Sequence, residues 1–228
     1  MQFFKKKQNL MKYSVNGMTL KVEITWQDSL NIDVFTFMLG ENGRLVEVED
    51  LVFYNSELRW KPAPLFACPD YDPFDGTPSE FSKEVYARKS IWRNNTIPTS
   101  SDHSVLGPYS EMSCWDEYGI DESGPVEPLF VRVGKINTEK YKRIIFVASI
   151  YNFEQCSTSF LNSILPVQVK ITDWGPSPSP LLTYSLSIDC GTVCFGELIW
   201  DEVKREWVFR QMAERYKGGI ERMIDKYG

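Results

Sequence analysis

Apolar and polar residues alternate along most of this chain with a period of two. In the segment Thr19–Trp26, every second residue is apolar. Such alternation is typical of a β-strand with one buried face. The other segments that we predict as strands are 32–39, 45–48, 51–54, 129–133, 143–150, 166–172, 181–188, 193–200 and 206–210. Short strands at this spacing predict an all-β fold, a two-sheet β-sandwich.

The helical period appears clearly only at the end of the chain. Ile220, Met223, Ile224 and Tyr227 follow one another at i, i+3, i+4 and i+7, which places them on one face of a helix. The pattern predicts a short amphipathic helix that closes one end of the sandwich.

A long proline-rich and aromatic segment, Glu57–Pro98, interrupts the strand pattern. Irregular segments of this length are uncommon inside a domain. Its aromatic side chains favour burial over disorder. We therefore predict an irregular insertion packed on the sandwich, within a single domain that spans residues 1–228.

Charge and cysteine content narrow the classes of function. The formal net charge is −6 and the pI is near 5.0, which argues against a nucleic-acid-binding face. No apolar run is long enough to span a membrane, and no apolar segment of a signal peptide follows the first basic residues. The 5 cysteines show no repeated metal-binding spacing. Together these features predict a cytoplasmic protein with reduced thiols.

No catalytic motif stands out. His103 is the only histidine. This excludes most catalytic mechanisms in which a histidine base activates a serine or cysteine nucleophile. The chain also lacks the nucleophile elbow, the phosphate-binding loop and the zinc-protease motif. We therefore predict that the protein is not an enzyme.

Three blocks of the sequence carry a resemblance to a known family. They read LNIDVFTFMLGENGRLVEVEDLVFYN at 30–55, YKRIIFVASIYN at 141–152 and FGELIWDEVKREWVFRQMAERYKGGIERMIDKYG at 195–228. In this order and approximate spacing they resemble the TerD family, the calcium-binding module of bacterial tellurium-resistance and stress operons. The resemblance implies a β-sandwich whose acidic residues bind calcium at one end.

The resemblance also implies a set of calcium ligands, because calcium takes six to eight oxygen ligands from carboxylates and carbonyls. The positions that match the family's ligand segments are Asn31, Asp33, Asn55, Asp102, Asp116, Asp121 and Glu127. Asn31 stands where the family has an aspartate. Strand alternation places it on the same face as Asp33.

The chain departs from the family in the acidic loop before residue 127. Ser123-Gly124-Pro125-Val126 replaces the paired acidic centre of that loop. Calcium affinity falls with the number and charge of the ligands. We therefore expect one calcium site rather than two.

Two functions follow as hypotheses. The first is a non-catalytic, calcium-binding stress-response module, with other proteins as partners and with the inner membrane surface as one place of action. The second is a TerD-like domain that has lost calcium and acts as a protein-interaction or assembly module. Its partner-binding residues would be Trp60, Trp92 and Trp115, since aromatic residues are enriched in interface hot spots.

Overall fold

The structure is a computed structural model that describes residues 11–26, 32–62, 74, 76–79, 96–107, 126–150, 165–188 and 191–228. The strands formed by these residues are, in chain order, β1 (Lys12–Ser14), β2 (Thr19–Trp26), β3 (Ile32–Leu39), β4 (Leu51–Val52), β5 (Arg59–Pro62), β6 (Gly76–Ser79), β7 (Ile97–Pro98), β8 (Val105–Leu106), β9 (Val126–Arg132), β10 (Arg143–Ile150), β11 (Leu165–Asp173), β12 (Ser179–Ile188), β13 (Gly191–Asp201) and β14 (Glu206–Lys217). One helix, α1 (Glu221–Tyr227), follows the last strand.

Two antiparallel sheets form the sandwich. The first sheet has the order β1-β14-β13-β10-β3-β4, and the second has the order β12-β11-β2-β9-β8. Their facing sides enclose the main core, which includes Val22 and Ile24 from the second sheet and Ile144 and Phe146 from the first. The predicted two-sheet β-sandwich is confirmed.

The strands β3 and β10 are buried on both faces. Alternate residues of β3, such as Val34 and Met38, face the main core, whereas Phe35 and Phe37 belong to a second core on the opposite face of the first sheet. This double burial explains why both strands read as nearly continuous apolar runs. In contrast, β2 has one buried face and one partly exposed face, on which Lys21 and Glu23 form an ion pair at 2.7 Å.

The helix α1 covers the outer face of the first sheet. Met223 and Tyr227 are buried in the second core beside Phe37, and the Phe37 and Tyr227 ring centroids lie 5.5 Å apart. The predicted helix is confirmed, and three of the four apolar positions contact the second core, since Ile220 also packs against it, whereas Ile224 is 44% exposed. The predicted place of the helix at one end of the sandwich is wrong. The helix packs on a sheet face because β3 and β10 present an apolar surface there. None of the helices formed by the described residues has the length and apolar character needed to cross a membrane.

The strand predicted at 45–48 is also wrong. Residues Val48–Asp50 form a 3-10 turn, and Val48 is 85% exposed. The turn is closed by a reciprocal capping box between Glu47 and Asp50. These local side-chain bonds satisfy backbone groups that a strand would have paired with a neighbour.

A third, three-stranded sheet with the order β6-β5-β7 comes from the 57–98 insertion. Trp60, Phe74 and Ile97 from this region form a cluster with Leu106 and Phe130 of the second sheet. The described part of the insertion therefore packs on the outer face of β8 and β9. The assignment of residues 1–228 to one domain stays a prediction.

A glycine in β13 allows the closest packing in the main core. Gly196 lies beside an irregularity in the β13–β14 register, and a Cβ atom there would lie 2.6 Å from the Cζ atom of Phe209. Because Phe209 is buried and cannot move freely, we expect Gly196→Ala to lower the free energy of unfolding by about 1–3 kcal/mol in urea denaturation.

The matched control is Gly134→Ala, whose new methyl group would meet only the Cα atom of Gly17 at 3.6 Å. We expect that variant to stay within about 0.5 kcal/mol of the wild type. Equal losses for the two variants would contradict the packing argument.

Candidate functional site

The strand register defines the two ends of the sandwich. At one end, β2 finishes at Trp26, β3 starts at Ile32 and β9 starts at Val126, which pairs with Thr25. At the same end, Asp33 of β3 pairs with Ser149 near the finish of β10. We call this end the Asp33 end. The opposite end, where β9 finishes and β10 starts, is called the Asp102 end.

Asp33 is the most unusual side chain at the Asp33 end. Asp33 is partly buried, and no residue in the described part of the chain forms a hydrogen bond or ion pair with its carboxylate. Burial raises the pKa of Asp33 above the ordinary value of 3.8. A carboxylate that loses hydration without gaining a partner is unfavourable in its charged form. A bound cation would reverse that imbalance.

Two of the other predicted calcium ligands, Glu127 and Asn55, belong to elements that lead to the same end. Glu127 belongs to β9, where its backbone is opposite Ile24. Asn55 comes shortly after β4, which runs antiparallel to β3 and therefore leads toward the start of β3. Asn31, Asp116 and Asp121 lie outside the described residues. Among the described residues alone, no group of three or more His, Cys, Asp or Glu side chains could hold a metal ion.

Asp102 lies at the opposite end of the sandwich. Its carboxylate accepts hydrogen bonds from Ser100 Oγ at 2.8 Å, Ser104 Oγ at 2.7 Å, the Ser104 amide at 3.0 Å and the Asn137 amide at 3.3 Å. The next strand after Asn137 is β10, which advances about 20 Å from Arg143 to Ser149 at roughly 3.3 Å per residue. Asp102 and Asp33 are therefore not brought together around one ion.

The Asp102 end contains a buried carboxylate that the sequence analysis missed. Asp50 is 0% exposed, and its Oδ1 atom accepts hydrogen bonds from Ser101 Oγ at 2.7 Å and Tyr141 Oη at 2.8 Å. Its Oδ2 atom accepts one from the Glu47 amide at 3.1 Å. This carboxylate therefore joins the 3-10 turn, the loop before β8 and the start of β10.

Lys140 supplies the positive charge of this network. Its Nζ atom lies 2.5 Å from Glu47 Oε1, 3.0 Å from Ser101 Oγ and 3.8 Å from Asp50 Oδ2. Burial tends to lower the pKa of Lys140, but the hydrogen bonds to Glu47 and Tyr141 and the charge of Asp50 outweigh it, and the net shift is upward. Burial raises the pKa of the neighbouring Tyr141. Lys140 thus offsets part of the negative charge of Glu47 and Asp50 from within the protein.

The predicted partner-binding tryptophans fall into two groups. Trp60 is 8% exposed, and its ring centroid lies 5.5 Å from that of His103. Little of the indole is therefore available to a partner in this conformation. Its Nε1 atom has no hydrogen-bond partner in the described part of the molecule. Trp92 and Trp115 lie outside the described residues, and their role stays a prediction.

Comparisons with known proteins address the fold. No protein-family model matches this chain, and no curated protein matches it. Among solved structures, it is similar to SAV2460, a protein of unknown function, with a TM-score of 0.53 and 12% sequence identity. That likeness covers 91% of this chain and 95% of the other.

A TerD homologue is also among the similar structures. It is described as a homologue of telluride resistance protein (TerD), SCO6318 from Streptomyces coelicolor A3(2). The TM-score is 0.41 and the identity is 12%, with 88% of this chain and 91% of that chain covered. We base the comparison of folds on SAV2460, whose TM-score is higher, and on the two-sheet sandwich described above.

The Asp50 network leads to a stability prediction. Asp50→Ala would remove the carboxylate that accepts hydrogen bonds from Tyr141 Oη and Ser101 Oγ and that forms an ion pair with the Lys140 ammonium. We expect the free energy of unfolding to fall by about 3 kcal/mol or more, measured by urea denaturation. The control is Glu202→Ala, which removes the exposed partner of Lys142 and should leave stability unchanged. Similar behaviour of the two variants would mean that the network does not stabilise the fold.

The pKa of Asp33 leads to a prediction about pH in calcium-free protein. Because its pKa is raised on folding, the folded state binds this proton more tightly than the unfolded state does. The contribution of Asp33 to stability is then most favourable below the unfolded pKa near 3.8, and it is lost as pH rises through the folded pKa. Asp33→Asn should remove this dependence.

We expect Asp33→Asn to become more stable than the wild type as pH rises from 4 to 7, by roughly 1 kcal/mol because the site is only partly buried. Paired urea titrations across this range would measure the difference. The other carboxylates titrate in both proteins, so the difference isolates Asp33. A constant difference across the range would contradict the prediction.

Proposed function

We propose that this protein is a TerD-like, non-catalytic calcium-binding module that holds its ion at the Asp33 end of the sandwich. The observation that carries the proposal is the Asp33 carboxylate, which is partly buried, lacks a partner among the described residues and has a raised pKa. A divalent cation would supply the missing charge.

The chemistry of the donor set fits a hard cation. Asn31, Asp33, Asn55, Asp116, Asp121 and Glu127 offer carboxylate and amide oxygens, with no histidine or thiolate among them. Oxygen-only ligand sets suit calcium, whereas zinc and copper favour nitrogen and sulfur. In this proposal Asp33 provides a fixed ligand on a strand. The others come from the segments before β3 and β9, from the start of β9 and from the residues after β4.

Calcium binding would act mainly on the segments that carry these ligands. An ion that gathers several carboxylates removes their mutual repulsion and favours one arrangement of the chain around it. The module would then sense or buffer calcium in the cytoplasm as part of a stress response. It would present its Asp33 end to other proteins or to the inner membrane surface.

One observation favours the alternative function, a domain that has lost calcium and works by protein interaction. Asp102 already accepts four hydrogen bonds from the protein, and the ammonium group of Lys140 forms ion pairs with the nearby Glu47 and Asp50. A family ligand segment is therefore used here for internal bonding. The alternative extends that loss to the Asp33 end, and it leaves Trp92 and Trp115 as the predicted anchors for a partner.

A calorimetric calcium titration of metal-stripped protein distinguishes the two functions. For the wild type we expect saturable binding, and at 100 times Kd a stabilisation of about 2.7 kcal/mol, seen as a rise in Tm of roughly 5–10 °C. Asp33→Asn should weaken binding at least tenfold because it removes a charged ligand.

The matched control is Asp102→Asn, which removes one carboxylate charge at the opposite end and should leave calcium affinity unchanged. Equal losses in the two variants would place the ion elsewhere. A flat titration of the wild type, with Tm unchanged by calcium, would reject the calcium site and favour the interaction module.

A further inference from the structure

The edges of the two main sheets differ sharply in length. The edge strands β1, β4 and β8 have only 3, 2 and 2 residues, whereas β12 has 10. An edge strand exposes a row of backbone N–H and C=O groups that can pair with another strand. Natural proteins usually shorten such edges or protect them with charges. Three of these four edges follow that rule.

The strand β12 is neither short nor charged. It reads SPLLTYSLSI, without an acidic or basic residue. Pro180 lies near its start, and no other proline follows within the strand. In the part of the chain that the structure describes, β11 is its hydrogen-bonded neighbour on one side, and no strand pairs with it on the other.

The edge is also held firmly in place. Leu182 and Tyr184 are buried in the main core, and the Tyr184 hydroxyl donates a hydrogen bond at 2.5 Å to the carbonyl of Phe195 in the first sheet. Thr183 and Ser185 point outward and are exposed. The backbone of β12 is therefore positioned by its neighbours before any partner arrives, which reduces the entropy lost on pairing.

We propose that β12 pairs antiparallel with β12 of a second copy of this chain, around a two-fold axis, so that the second sheet continues across the dimer. Alternation of faces allows registers in which residue 183 lies opposite Thr183 or Ser185 of the second copy. Either register places hydroxyl side chains opposite one another, a favourable cross-strand pairing. Neither brings like charges of β12 together.

The charges next to β12 also favour a second copy in this orientation. Asp173 of β11 is paired in the ladder with Ser179 at the start of β12, and Arg215 of β14 donates a hydrogen bond at 3.0 Å to Ser187 near its finish. Antiparallel pairing brings the start of one β12 toward the finish of the other. The acidic neighbourhood of one copy then approaches the basic neighbourhood of the other, which aids both orientation and association.

The test measures molar mass by light scattering from about 1 to 500 micromolar protein. Because one paired strand buries less surface than a standard interface, we expect a weak dimer whose mass rises from 26.4 kDa toward twice that value with concentration. Thr183→Lys should weaken association at least tenfold, since it places two lysines opposite or diagonal to one another. Thr183→Glu should weaken it less, because Lys170 of β11, which pairs with Thr183 in the ladder, offsets part of the added charge. An equimolar mixture of these two variants should regain dimerisation.

The matched control is Gln168→Lys, which adds the same charge at an exposed position on β11, opposite Ser185 and one strand inward from the edge. That variant should dimerise like the wild type. Recovery in the mixture also shows that both Thr183 variants are folded.

Three outcomes would overturn the proposal. If the wild type stays monomeric up to about 500 micromolar, β12 does not pair with a second copy. A dimer that resists both Thr183 variants uses another surface. Assembly beyond a dimer would contradict a closed two-fold contact.

Discussion

Burial of β3 and β10 on both faces is the constraint on which the rest of this structure depends. One face must meet the second sheet, and the other must meet α1 and its neighbours, so both layers are needed to cover these two strands. The same pair links the two ends of the molecule. β10 starts beside Lys140 and Tyr141 at the Asp102 end and reaches Ser149, opposite Asp33, at the other. Its two ends therefore adjoin both polar sites.

The two ends of the sandwich differ in how many partners surround their acidic side chains. At the Asp102 end, hydroxyl groups, backbone amides and one ammonium group surround Asp50 and Asp102, so neither carboxylate needs an external ion. A similar balance holds on the outer face of the first sheet, where fully buried Glu197 is bonded by Arg143 and Arg210. At the Asp33 end the described residues provide no such balance. The contrast makes Asp33 the better candidate for binding chemistry.

Sequence alone predicted what depends on local period. The bounds of β2, β3 and β10 agree with the predicted 19–26, 32–39 and 143–150. In β2 the alternation of apolar and polar residues marks the strand, and in β3 and β10 a nearly continuous apolar run does so. The strand prediction for 45–48 was wrong because the two reciprocal hydrogen bonds of the Glu47–Asp50 capping box favour a turn over the strand that the pattern indicates. Asp50 was missed because its partners Ser101 and Tyr141 are 51 and 91 residues away. No local pattern encodes such contacts.

A folded domain usually satisfies its polar groups internally, so groups left unsatisfied in an otherwise well-packed region need an explanation. Several buried side-chain atoms among the described residues lack a hydrogen-bond partner, Trp60 Nε1 among them. The two features that bear on binding are the charged carboxylate of Asp33 and the outward backbone groups of β12. Neither arises from poor packing, since Ile32 and Val34 beside Asp33 and Leu182 and Tyr184 in β12 are all buried. Their neighbouring side chains are buried, while their own polar groups have no partner among the described residues. Preorganisation lowers the entropy lost on binding, which is the physical basis of both the proposed cation site and the proposed edge pairing.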